Sequence, residues 1–216
     1  MRTRLIGLLL LFCVMTSIKA ADRVTVLAIG DSITEGSSKF HIYREFLVSK
    51  LKKEGSPFVF IGPKEDGFSA HAGFGGKNTA YLNQKIGDIY KKYPADLILL
   101  HSGHNSFSKD KPVMKIIQDT ESIIQKVNKI NPKVKVLLAK VICSGKLPKY
   151  SYIPELNIEL GKLAKKMNAN SKKVILVDQA KGFIWEEDTI ADKVHPNKRG
   201  AKKMAEKWYS AMMKLN

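Results

Sequence analysis

The stretch VTVLAIGDSITEG, residues 24–36, decides the fold. Its first part, VTVLAI at 24–29, is short, apolar and rich in β-branched side chains, as a strand buried on both faces requires. Gly30 permits a tight turn that a Cβ would obstruct. Asp31 and Ser32 then stand ahead of a helical stretch, where Asp and Ser are routine caps. Similar apolar runs return at 57–61, 96–101, 133–142 and 173–177. Between them, Val113, Ile116, Ile117, Thr120, Ile123, Ile124, Val127 and Ile130 recur at three- and four-residue steps, one apolar stripe along a helix. Weaker helical patterns cover 41–53, 79–92, 153–169 and 198–214. Strand alternating with helix implies parallel strands joined by right-handed crossovers. The expected fold is α/β: a three-layer α/β/α sandwich with a central five-stranded parallel sheet, flavodoxin-like.

A chain of 216 residues is long enough for one domain with a full core. Residues 1–20 read as a secretory signal: Arg2 and Arg4, then an apolar stretch from Leu5 to Val14, then small residues up to Ala20. The apolar stretch is short for a permanent anchor, so an exported protein, periplasmic or secreted, is expected, with a mature domain over 21–216 and no stable membrane insertion. Cleavage after Ala20 leaves one cysteine, Cys143, which excludes an intrachain disulfide and a zinc site built on cysteines. Cys143 follows an apolar run and reads as a structural thiol.

The formal charge is +17, and +14 once Arg2, Arg4 and Lys19 leave with the signal. Such a field attracts polyanions, an acidic polysaccharide among them. The lysines also fit outward helix faces, as at Lys162, Lys165 and Lys166, and a solvated surface accounts for most of them. No zinc-finger spacing, RNA-binding aromatic motif or dense basic arm is present, so nucleic acid is not an expected partner.

Loops 62–78 and 143–152 are long, and both start at carboxyl ends of strands, where open parallel sheets bind ligands. Ser32 lies at such an end, and a serine becomes nucleophilic when a base takes its proton. His195 can be that base, with Asp192 three residues earlier to orient the imidazole and stabilise its charged form. Acyl transfer also needs donors for a developing oxyanion, and the Ser32 amide, the Gly76 amide and the Asn105 side chain are candidates. Each residue alone has a plainer explanation: a helix cap, a flexible loop or a turn. Asp31, Lys77 and His104 stand beside these positions as candidate substrate contacts, whereas His71, in a Gly-rich loop, reads as structural. GFGGKN at 73–78 has the wrong spacing for a nucleotide loop, and the histidines lack metal-ligand spacing, so no metal or organic cofactor is expected.

GDSITEG at 30–36, AGFGGKN at 72–78, SGHNS at 102–106 and DKVHP at 192–196 together resemble the four sequence blocks of the SGNH (GDSL-like) hydrolase superfamily. IYREFLVSKLKKEG with FVFIG, IPELN at 153–157, VDQAKGF at 177–183 and HPNKRGAKKMAEKWYSAM at 195–212 resemble the acetyl xylan esterases of carbohydrate esterase family three. The resemblance implies a serine esterase fold with Ser32 as nucleophile, Asp192 and His195 completing the triad, and Gly76 and Asn105 joining the Ser32 amide in the oxyanion hole. The chain departs from the family in two places. Gly103-His104-Asn105-Ser106 replaces the usual Gly-Thr-Asn-Asp, and Lys77 stands where relatives often have Trp. The expected function is removal of small O-acyl groups, acetyl foremost, from a carbohydrate. The alternatives are a lysophospholipase or thioesterase on the same fold, and a polysaccharide-binding protein without catalysis.

Overall fold

The computed structural model describes residues 23–107, 112–170 and 173–215. The expected signal at 1–20 lies outside the described residues. The strands are β1 (Val24–Gly30), β2 (Phe58–Phe60), β3 (Lys64–Glu65), β4 (Ala70–Gly73), β5 (Leu97–His101), β6 (Lys135–Lys140) and β7 (Val174–Asp178). The helices are α1 (Ser32–Glu35), α2 (Tyr43–Lys53), α3 (Thr79–Lys92), α4 (Val113–Ile130), α5 (Ile153–Ala169), α6 (Trp185–Asp188) and α7 (Lys198–Met213). The five expected strands are all present, in the order β2-β1-β5-β6-β7 and parallel throughout. That is the flavodoxin-like order.

The sheet nevertheless has seven strands. β3 and β4 fall inside the stretch expected to be a loop at 62–78, because strands of two and four residues are too short to show a period. β1 shares one edge between two partners. Val24 to Val26 pair with β2, and Ile29 and Gly30 pair with Ala72 and Gly73 of β4. β3 adds an antiparallel edge on β4.

Alternation along the central strands sends side chains into two cores. Leu27, Ile29, Ile98, Leu100, Val136 and Leu138 pack on the face covered by α3, α4 and α5. Val26, Ala28, Leu97, Leu99, Leu137 and Ala139 pack on the face of α2 and α7, where Trp208 is fully buried beside Tyr43. Removing this much apolar surface from water is the main drive for the fold.

Register decides where the functional loops emerge. Gly30 lies opposite Gly73 on one side and His101 on the other. The three segments leaving this row, from Asp31, Phe74 and Ser102, therefore start side by side. A side chain on Gly30 could not be accommodated, because its Cβ would lie 2.3 Å from the His101 carbonyl oxygen.

Candidate active site

α1 carries Ser32 at its first position, directly past the end of β1. The Asp31 carboxylate caps it by accepting from the Ile33 amide at 3.0 Å, and the Asp31 carbonyl accepts from Thr34 and Glu35. The Ser32 amide, a first-turn donor, has no partner among the described residues. Ser32 Oγ lies 2.8 Å from His195 Nε2, and His195 Nδ1 lies 2.5 Å from Asp192 Oδ2. The other Asp192 oxygen accepts from the Val194 and His195 amides, both at 2.9 Å. Burial pushes the Asp192 carboxyl up, but the bonds from His195 and the two amides outweigh it and hold the group below its ordinary range. A charged Asp192 requires the proton on Nδ1, which leaves Nε2 as an acceptor for the serine proton.

The loop bearing this pair is fixed from several sides. The His195 carbonyl accepts from Ile190, and Thr189 bridges to Pro196. Asn197 then caps α7 through the Arg199 and Gly200 amides. Lys193 adopts φ +61°, a left-handed conformation unusual outside glycine. Its carbonyl accepts from Ser144 Oγ at 2.7 Å and the Gly145 amide at 3.0 Å, so loop 143–152 secures the Asp192–His195 turn.

The oxyanion candidates lie on, or bond to, a turn beside Ser32. A Cβ on Gly75 would lie 3.8 Å from Ser32 Cβ, so the Gly75–Gly76 turn flanks the hydroxyl. Gly76 sits at φ +71°, where a glycine is needed. Its amide has no partner among the described residues. Glu35, on α1 itself, accepts from the Gly75 amide and pairs with Lys64. Asn105 donates one amide hydrogen to the Lys77 carbonyl at 3.1 Å, leaving its second free for a ligand. The arrangement offers a hydroxyl beside an imidazole, a carboxylate behind it, and unused N–H donors on the flanking segments.

A model of the GDSL-like Lipase/Acylhydrolase family matches residues 28–203. The chain belongs to that family. It is 26% identical over 229 residues to a multidomain esterase of Ruminococcus flavefaciens, covering 88% of this chain and 28% of the relative's length. A carbohydrate esterase of family 3 from Talaromyces cellulolyticus superposes with a TM-score of 0.79 at 20% identity, over 89% of this chain and 97% of that one. A variant acetyl esterase solved with an acetate ion gives 0.78 at 20% identity over the same shares. These likenesses show the fold.

Two expected substrate contacts need correction. Asp31 and His104 are buried, so neither faces a substrate. Asp31 caps α1 through Oδ1. His104 turns inward, and its Nε2 donates to the Ile142 carbonyl at 3.0 Å. Tyr150 is buried against His104 as well. Lys77 is exposed, with its ammonium over the Tyr81 ring. His71 is buried and accepts from the Gly73 amide at 3.0 Å, a structural role.

Several contributors had no sequence signal. Arg44 is fully buried and donates to the Thr34 and Glu35 carbonyls, closing the C-terminus of α1. The same guanidinium reaches Asp66 and Ser69, tying the nucleophile's helix to loop 62–78. Burial pushes the Asp66 carboxyl up, yet Arg44 and the Ser69 and Phe68 amides bring it down to about 2. Phe40 stacks on the His195 ring with centroids 4.1 Å apart. The Tyr152 hydroxyl lies 2.6 Å from the Gly103 carbonyl oxygen and 2.9 Å from that of His104, bracing the segment that presents Asn105. Phe40 and Ile190, which both touch His195, also line a groove of about 930 Å³ with Glu35, Lys39, His41 and Lys64.

Proposed function

We propose that this protein is an exported serine esterase that removes acetyl groups from a carbohydrate. The relay from Ser32 through His195 to Asp192, at 2.8 and 2.5 Å, carries the proposal. Ser32 Oγ attacks the ester carbonyl as His195 Nε2 takes its proton. The oxyanion accepts from the Ser32 amide, the Gly76 amide and the Asn105 side chain. His195 returns the proton to the leaving sugar oxygen. Water then attacks the acyl-serine by the same route and releases acetate. The descriptions of the similar structures, which name an acetyl esterase and a family 3 carbohydrate esterase, support the substrate class. The groove beside His195 offers the charged and polar side chains of Glu35, Lys39, His41 and Lys64 to a saccharide, and the net charge favours an acidic one.

The test is acetate release from acetylated xylan, acetylated pectin and a p-nitrophenyl ester series by the residue 21–216 protein, with Ser32→Ala in parallel. Release that depends on Ser32 and declines with acyl length is expected. Rates that rise with acyl length would transfer the protein to the lipid or thioester hydrolases. A folded protein inert on every ester, but retained by the polysaccharides, would make it a binding protein.

A further inference from the structure

Three buried polar atoms behind the nucleophile have no hydrogen-bond partner among the described residues: Asp31 Oδ2, His101 Nδ1 and His104 Nδ1. The three side chains are at most 2% exposed. One ligand atom from each lies within 4.8 Å of the others, and His104 Nδ1 is 4.0 Å from Asp31 Oδ2. Orphaned buried groups of this kind are costly and rare, and three on neighbouring side chains mark a candidate polar site.

One residue sets the protonation of both rings. The Ile142 carbonyl accepts from His104 Nε2 at 3.0 Å, so that nitrogen carries the proton and Nδ1 is a bare acceptor. The Ile142 amide donates to His101 Nε2 at 3.4 Å, so that ring is protonated on Nδ1, which is a donor. Burial pushes both imidazoles down, His101 to about 3 and His104 to about 4, in keeping with neutral rings. The site thus presents one donor, His101 Nδ1–H, and two acceptors, His104 Nδ1 and Asp31 Oδ2.

We propose that Asp31, His101 and His104 bind a single water molecule that positions the Ser32 turn. The water accepts from His101 and donates to His104 and Asp31, using both its protons and satisfying all three atoms. An oxygen about 2.8 Å from both His104 Nδ1 and Asp31 Oδ2 subtends about 90° across their 4.0 Å gap, an angle a water's two hydrogen bonds can span. A zinc ion fits poorly. With bonds of about 2.0–2.1 Å, the 4.0 Å gap alone would force an angle near 150° at the metal. The proton on His101 Nδ1 also opposes any cation, and an anion would meet two acceptors. The water holds Asp31 Oδ2 while Asp31 Oδ1 caps α1, so the carboxylate is restrained at both oxygens immediately before Ser32. His101 and His104 are positioning residues in this scheme, and His104 replaces the family's usual threonine because it serves the water rather than the substrate.

The site is read directly from high-resolution diffraction of the wild-type protein with metal analysis of the same preparation. One peak about 2.7–3.2 Å from all three atoms, in a metal-free sample, is expected. No ordered peak, or a stoichiometric metal at shorter distances, overturns the proposal. The positioning role rests on the esterase function proposed above and is tested by His104→Leu, which removes the acceptor. Its kcat should fall by about tenfold to a hundredfold through misplacement of the nucleophile, with KM within twofold, and His104→Gln should recover most of the rate. An unchanged kcat in a folded His104→Leu protein overturns the role. If no ester is turned over by the wild type, the esterase function fails while diffraction still decides the water.

Discussion

Replacing Asp192 by Asn tests the relay at its most specific point. Oδ1 of Asp192 accepts from the Val194 and His195 amides at 2.9 Å, and Oδ2 faces His195 Nδ1 at 2.5 Å. In Asp192→Asn, the carboxamide has two orientations. If its oxygen stays on the two amides, its NH2 points at Nδ1, which must then be bare. The imidazole proton moves to Nε2, and His195 can no longer accept from Ser32. If the carboxamide flips, Nδ1 keeps its proton, but the NH2 faces two backbone donors. Each unsatisfied donor costs about 1–3 kcal/mol, so the productive orientation is disfavoured by about 2–6 kcal/mol. The Asp192 side chain is 36% exposed, and water can relieve part of this, which puts the working value near about 3 kcal/mol. At about 1.4 kcal/mol per factor of ten, that is about a hundredfold loss. Losing the negative charge beside a developing imidazolium adds about another factor of five to ten, since a bond to a charged group is worth about 1–1.4 kcal/mol more than a neutral one. The expected result is a drop in kcat/KM of about a thousandfold near neutral pH on p-nitrophenyl acetate and acetylated xylan, with a melting temperature close to wild type. A loss smaller than tenfold would refute the tautomer mechanism. A large fall in melting temperature would mean that Asp192 acts on the fold instead.

Other outcomes are equally concrete. Arg44→Met should destabilise the protein by about 3 kcal/mol, at the low end for a broken buried ion pair because Asp66 is 29% exposed; an unchanged urea midpoint would remove Arg44 as the anchor of α1. Stability should fall as pH drops from 6.5 towards 4. Burial, with the Arg44 charge for His71, holds His71, His101 and His104 at about 4, 3 and 4, so the unfolded chain binds more protons in that window. Each histidine contributes a slope of about 1.4 kcal/mol per pH unit. Asp31, pushed by burial up to about 6, opposes them between about 6 and 3.8, because its contribution favours low pH. Three groups outweigh one, and urea midpoints that stay flat from pH 7 to 5 would contradict the buried neutral histidines.

The sequence by itself determined the layers, the five main strands and the helices from α2 to α5 and α7, because long apolar runs and three-to-four-residue stripes are local signals that burial enforces. It also marked Ser32, Asp192, His195, Gly76 and Asn105 through short segments whose spacing along the chain is itself local. Only the tertiary structure decided the rest. The short strands β3 and β4 exist because β1 has a free edge after β2 ends, a long-range pairing with no periodic imprint. Arg44, Phe40, Ser144 and Tyr152 act across 9 to 155 residues, as in Ser144 on Lys193 or Phe40 on His195, and nothing near them in sequence announces it. Asp31 and His104 look like site residues in the sequence because they adjoin Ser32 and Asn105. Which way such a side chain faces depends on the packing around it, and here the Ile142 peptide and the helix cap turn both inward.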